Sequence, residues 1–174
     1  EKQKRGCMGR TQSKIFNQVL KKIKRTLTDS SKNNFISIYW PFPGEVDLRD
    51  LKGSINSKLA LPFINKDGSM VYKHWDNSPL TKDSFGIMAP SNKTELNPSD
   101  ISMILISALS IDIHGYRLGY GGGFFDRLRS TKRWKEIPAF AVLPKTCVAL
   151  SPLPRDPWDI PFNGWINEEE IIEL

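Results

Sequence analysis

The chain has 174 residues and carries 25 Lys and Arg against 19 Asp and Glu, a formal net charge of +6. That length suits one domain with a sizeable core. The two cysteines, Cys7 and Cys147, have neither metal-ligand spacing nor the density of a secreted disulfide scaffold, which points to a reducing cytoplasm.

The positive charge belongs to one end. Residues 1–25 hold nine Lys or Arg against Glu1 alone, a local +8, so the remaining 149 residues are net −2. Within this arm Ile15, Phe16, Val19, Leu20, Ile23 and Leu27 recur with helical period. Residues 1–27 are therefore read as a basic amphipathic helix whose apolar face packs inward. Its charged face is either ordinary solvated surface or a means of steering anions. Nucleic-acid binding is the alternative for such a charge run, but no recognition module accompanies it.

Phe35 to Tyr39 reads as a buried strand. Asp47 to Ser57 carries Leu48, Leu51 and Ile55 at helical spacing, with Gly53 weakening its end. Lys58 to Phe63 and Met70 to Trp75 read as strands around Asn65-Lys66-Asp67-Gly68, whose Asp-Gly is a strong hairpin signal. Pro90 through Pro98 is loop. Ile101 to Leu105 is a buried strand within an apolar run too short to cross a bilayer. Phe124 to Thr131 reads as a short helix and Phe140 to Leu143 as another strand. Apolar strands alternating with helices imply an α/β fold: an open, mostly parallel sheet with helices on both faces, three layers in one domain spanning 1–174. His74 and His114 read as structural residues and Cys147 as a small core residue.

The densest chemical signal is Gly115-Tyr-Arg-Leu-Gly-Tyr-Gly-Gly-Gly-Phe-Phe-Asp-Arg127. Gly119, Gly121, Gly122 and Gly123 let the backbone reach positive φ and approach a ligand, so successive N–H groups can converge on an anion. Arg117 and Arg127 add positive charge. Asp126 facing phosphates implies an intervening cation such as Mg²⁺. Neither the Gly-Lys-Ser/Thr ending of a Walker loop nor the G-x-G-x-x-G spacing is present. The reading is a site for Mg²⁺ and ATP where a glycine loop enters a helix at the carboxyl edge of the sheet.

This stretch resembles the signature of the 5-formyltetrahydrofolate cyclo-ligase family, also called 5,10-methenyltetrahydrofolate synthetases, whose usual form is RLGYGGGYYDR. Ile38-Tyr39-Trp40-Pro41 with Gly44-Glu45-Val46-Asp47, Leu59-Ala60-Leu61-Pro62, Met70-Val71-Tyr72 with Trp75, and Phe85-Gly86-Ile87 with Pro90 follow in family order, so the resemblance covers roughly residues 35–170. It implies ATP-dependent closure of 5-formyltetrahydrofolate, with or without a polyglutamate tail, to 5,10-methenyltetrahydrofolate by a cytoplasmic, monomeric enzyme. By the same resemblance Arg117, Leu118, Gly119, Tyr120, Gly121, Gly122, Gly123, Phe124 and Phe125 hold ATP phosphates, Arg117 and Asp126 serve catalysis, Asp126 and Asp159 bind Mg²⁺, and Trp40 and Glu45 contact the folate. For Asp159 the residues alone leave a turn or cap among prolines as the other reading. The family's N-terminal helix usually carries Lys-x-x-x-Arg, whose lysine reaches ATP. That spacing is missing from residues 1–10, so the resemblance implies that this lysine is either outside this chain or replaced by Lys2, Lys4 or Arg5. Phe124 and Phe125 stand where tyrosines are frequent. The alternative function is a non-catalytic folate-binding relative.

Overall fold

The computed structural model describes residues 2–27, 34–91 and 93–174, with side chains of the first helix described from residue 9. Helix α1 spans Lys2–Thr26, and the arm's apolar stripe is what seats it: Ile15, Val19 and Ile23 are almost fully buried. On its polar side Lys22 is buried over the Phe140 ring and pairs with Glu173 at 2.9 Å. The Lys2, Lys4 and Arg5 side chains fall outside the described residues.

The chain then forms β1 (Phe35–Ser37), the single-turn helix α2 (Leu51–Ser54), and the hairpin strands β2 (Lys58–Ile64) and β3 (Met70–His74). The short strands β4 (Thr81–Lys82) and β5 (Met88–Ala89) pair with each other. After them come β6 (Ile101–Ser107), β7 (Ser110–Asp112), β8 (Arg117–Leu118), α3 (Phe124–Arg129), α4 (Lys132–Lys135) and β9 (Ala139–Val142). The chain ends with β10 (Val148–Ala149), β11 (Gly164–Ile166) and β12 (Ile171–Glu173).

Seven of these strands make the main sheet, in the order β12-β11-β9-β6-β1-β2-β3. Its interior pairings are parallel, and antiparallel partners sit only at the two edges, β2 with β3 and β11 with β12. The expected mostly parallel α/β sheet is thus present. Strand alternation divides its residues between two apolar clusters. Met103 and Leu105 of β6 and Phe140 and Val142 of β9 join α1 and Leu51 on one face. Ile104, Ile106, Ala139 and Ala141 face the other way, where Phe125, Leu128 and Trp134 of α3 and α4 pack.

The helix expected over 47–57 is the main departure. Only Leu51–Ser54 is helical. The Asp47 carboxylate accepts the Arg49 backbone N–H at 2.9 Å, and Gln12 engages both the Asp47 N–H and its carbonyl. These side-chain contacts compete with a helical first turn. Cys147 lies partly exposed at the rim of the second cluster rather than inside it. A separate three-stranded sheet, β10-β7-β8, carries the segment leading into the glycine loop.

Candidate active site

The sheet changes direction between β1 and β6: from β1 the chain builds toward β2 and β3, and from β6 toward β9 and β11. Ligands of open α/β sheets gather at the carboxyl ends of the strands at such a switch point. A cleft of about 910 Å³ lies there, lined by Tyr39 and Trp40 just past β1 and by Ser107 at the end of β6. Trp40, Glu45, all of Arg117 through Asp126, and Asp159 line this one cleft.

The first wall is the glycine loop. Arg117 closes β7 against β8 and turns its guanidinium onto Asp126, with Nη2 at 3.0 and 3.2 Å from the two carboxylate oxygens. Its side chain is only 10% exposed, and its Nε is buried without a hydrogen-bond partner among the described residues. A Cβ at Gly119 would collide with this guanidinium. Gly123 stands at the N-cap of α3 with φ +63°, and Gly121 has φ +84°, conformations that side-chain-bearing residues rarely adopt. Phe124 is held from outside by the Phe85 ring at 4.8 Å and by the Arg127 guanidinium at 5.1 Å, while Arg127 also reaches the Gly68 carbonyl of the β2–β3 turn.

The second wall grows from the turn after β1. Tyr39, almost fully buried, donates its hydroxyl to the Val46 carbonyl at 2.6 Å, and Gly44 at φ +93° lets the Glu45 N–H close onto the Phe42 carbonyl. Burial, followed by the nearby Glu45 and Asp47 charges, pushes the Tyr39 phenol well above its ordinary pKa, so it remains a donor. Glu45 then accepts the Phe42 N–H through Oε2 at 2.7 Å, while its Oε1 is buried with no partner among the described residues. The Tyr120 phenol, its pKa raised by burial and then by Glu45, stands near this carboxylate without closing a hydrogen bond on Oε1, so a ligand that brings a well-placed donor would satisfy the oxygen. Trp40 is half-buried, packed edge-on to Trp75 at 6.2 Å and covered by Arg49 at 4.9 Å. Five of the nine large apolar side chains left exposed among the described residues, Phe42, Phe85, Leu118, Tyr120 and Trp158, line the same cleft. An apolar rim of that kind marks a binding surface.

Asp159 comes from a turn in which its N–H bonds the Asp156 carbonyl and its Oδ2 accepts the Asp156 N–H at 2.7 Å. It is therefore a turn residue as well as a cleft residue, and Oδ1 has no partner among the described residues. Asp126 and Asp159 supply hard oxygen donors from two elements. No three His, Cys, Asp or Glu side chains gather into a metal-binding group among the described residues. A cation in the cleft would thus rely on one or two carboxylates plus phosphate oxygens and waters, the manner in which Mg²⁺ is usually bound at phosphate sites. The donor set fits Mg²⁺ in that form.

Sequence reasoning passed over Asp83 and Asp112. Asp83 accepts N–H groups from Ile64, Phe85 and Ile87, which fixes the Phe85 side of the cleft; the Asp-x-x-Gly turn ending at Gly86 was the available signal. Fully buried Asp112 takes N–H groups from His114, Tyr116 and Leu153, tying the approach to the glycine loop to the proline-rich segment before Asp159. His114 sits in that turn, exposed, as its sequence context implied.

The model of the 5-formyltetrahydrofolate cyclo-ligase family matches residues 2–167. The chain is 30% identical over 138 residues to the 5-formyltetrahydrofolate cyclo-ligase of Haemophilus influenzae, spanning 73% of this chain and 72% of that one. It is 24% identical over 147 residues to the enzyme of the same name from Escherichia coli, spanning 79% and 80%. Among solved structures it is similar to the 5,10-methenyltetrahydrofolate synthetase of Aquifex aeolicus, with a TM-score of 0.73 and 28% identity over 93% of this chain and 80% of that one. The Mycoplasma pneumoniae protein of that name shares the fold, with a TM-score of 0.66 and 22% identity over 91% and 85%. The chain belongs to the 5-formyltetrahydrofolate cyclo-ligase family.

Proposed function

We propose that this protein closes 5-formyltetrahydrofolate to 5,10-methenyltetrahydrofolate at the expense of ATP, releasing ADP and phosphate, as a cytoplasmic enzyme. The observation that carries this reading is the meeting, in one cleft, of a glycine loop suited to an anion and a buried Glu45 oxygen without a hydrogen bond among the described residues.

The chemical difficulty is a poor leaving group. The formyl oxygen must depart as the neighbouring amine nitrogen closes the ring, and transferring a phosphoryl group to that oxygen lets it depart as phosphate. Such a transfer asks the protein for alignment and charge stabilisation more than for a nucleophile. The backbone N–H groups of residues 118–125 and the Arg117 guanidinium hold the phosphates and take up charge as it shifts among their oxygens. Magnesium, held by Asp126 and Asp159, would offset phosphate charge. Glu45 Oε1 accepts hydrogen bonds from the pterin's N–H donors, with Trp40 as an apolar wall beside it. Asp126 has a second duty, since its ion pair aims Arg117 across the loop.

The test is to incubate the purified chain with 5-formyltetrahydrofolate, ATP and Mg²⁺ while following methenyl product and ADP. One ADP per product, and no product without ATP, is expected. Folate binding with no turnover would instead make the chain a non-catalytic relative.

A further inference from the structure

Arg129, the last residue of α3, is 2% exposed, more deeply buried than any other cationic side chain among the described residues. No carboxylate among those residues pairs with it. Its Nη1 and Nη2 both reach the Pro161 carbonyl at 3.4 Å, its Nε has no partner among the described residues, and its guanidinium lies 4.4 Å from the Phe162 ring centre. Burial, then repulsion from Arg117, lowers its pKa to about 10, which leaves it charged at neutral pH.

Stability of the fold does not account for this charge. Removing a guanidinium from water costs more than two long hydrogen bonds to one carbonyl return, and an apolar side chain of similar length would fill the space more cheaply. The location is informative. Phe162 also lies 5.5 Å from the Arg117 guanidinium, so the two guanidinium carbons are within about 10 Å of each other, a range at which charges still interact through protein. The nearby carboxylate, Asp126, is already engaged by Arg117. Three guanidinium groups, those of Arg117, Arg127 and Arg129, thus stand at the glycine loop against the Asp126 carboxylate, positive charge that a bound anion would neutralise.

We propose that Arg129 is a positioning residue of the phosphate site: buried behind Arg117, it adds a positive charge beneath the loop and so favours polyphosphate without touching it. The inference rests on the glycine loop being the polyphosphate site, and its test needs no turnover. The full chain, Arg129→Met and Arg129→Lys are titrated calorimetrically with Mg²⁺-ATP, inorganic tripolyphosphate and 5-formyltetrahydrofolate, and their melting temperatures are compared.

Arg129→Met is expected to weaken both polyphosphates roughly tenfold, the effect of one charge at such a distance. It should leave folate affinity within twofold and the melting temperature unchanged or higher. Arg129→Lys should retain polyphosphate affinity within threefold. If the Met variant does not fold, Arg129→Gln takes its place, since it drops the charge yet can still donate to the Pro161 carbonyl. Wild-type polyphosphate affinity in the uncharged variant overturns the proposal, as does a Lys variant that folds yet loses as much as Met. Absence of polyphosphate binding by the unaltered chain overturns it too. Polyphosphate binding without folate binding by the unaltered chain would sink the cyclo-ligase reading and leave the role of Arg129 standing.

Discussion

The two walls of the cleft solve opposite problems. The glycine loop meets a ligand with backbone: side chains are removed at four of five positions, two of them at positive φ, and its nearest carboxylate is already closed by Arg117. The Glu45 wall would meet a ligand with a side chain, held by the Phe42 N–H on one oxygen and, among the described residues, without a hydrogen bond on the other. The first arrangement suits a ligand rich in acceptors, the second a ligand rich in donors. On the proposed function, that difference would let one cleft hold two substrates without confusing them.

Four changes break or sharpen this contrast. Asp126→Asn should have the largest effect, lowering turnover roughly hundredfold or more as expected for loss of a charge-organising group. The melting temperature should fall as well, because the largely buried Arg117 loses its charged partner, so turnover is compared on folded protein; turnover near wild type would remove Asp126 from the site. Glu45→Gln keeps an acceptor for the Phe42 N–H but loses the carboxylate charge, so 5-formyltetrahydrofolate binding should weaken roughly ten- to hundredfold, the range for a hydrogen bond to a charged group. Direct titration of the folate measures it, and an effect confined to ATP would contradict the placement of Glu45.

Gly123→Ala should follow, because the new Cβ forces φ +63° on a non-glycine residue and lands 2.7 Å from Arg127 Nη1. Strain of that kind costs about 1–2 kcal/mol, seen as roughly tenfold weaker ATP binding. The smallest effect concerns the scaffold. Burial alone would raise the Asp112 carboxyl, but the Leu153, Tyr116 and His114 N–H groups overcome it and hold the carboxyl below the usual range. The unfolded chain then binds the proton more readily, so the stabilisation is complete above the ordinary carboxylate pKa of about 4 and is lost as pH falls through the lower folded value. Acid denaturation of Asp112→Asn should lack that component, and an unchanged acid limb would show that Asp112 keeps its ordinary affinity in the fold.

What could be read in advance follows the same division. The glycine loop announced itself because its conformational demands exclude other residues, and the β2–β3 hairpin because Asp67-Gly68 supplies the required φ of +82°. The apolar stripe of α1 was legible because its burial repeats every turn. Strands β7, β8 and β10 escaped notice since two or three residues carry no period. Leu48, Leu51 and Ile55 mimicked a helix because burial, not helicity, spaced Leu48 and Leu51. Arg129 was invisible for a different reason: one arginine among many shows its meaning only when three-dimensional packing strips it of water and of any carboxylate partner among the described residues.

The division of labour between the walls is tested most directly by titrating Asp126→Asn and Glu45→Gln separately with Mg²⁺-ATP and with 5-formyltetrahydrofolate. The account predicts that Asp126→Asn weakens ATP alone and Glu45→Gln weakens the folate alone, each leaving the other ligand within about threefold, below what loss of one hydrogen bond to a charged group produces. Equal weakening of both ligands by either variant would contradict it and make the cleft a single undivided site.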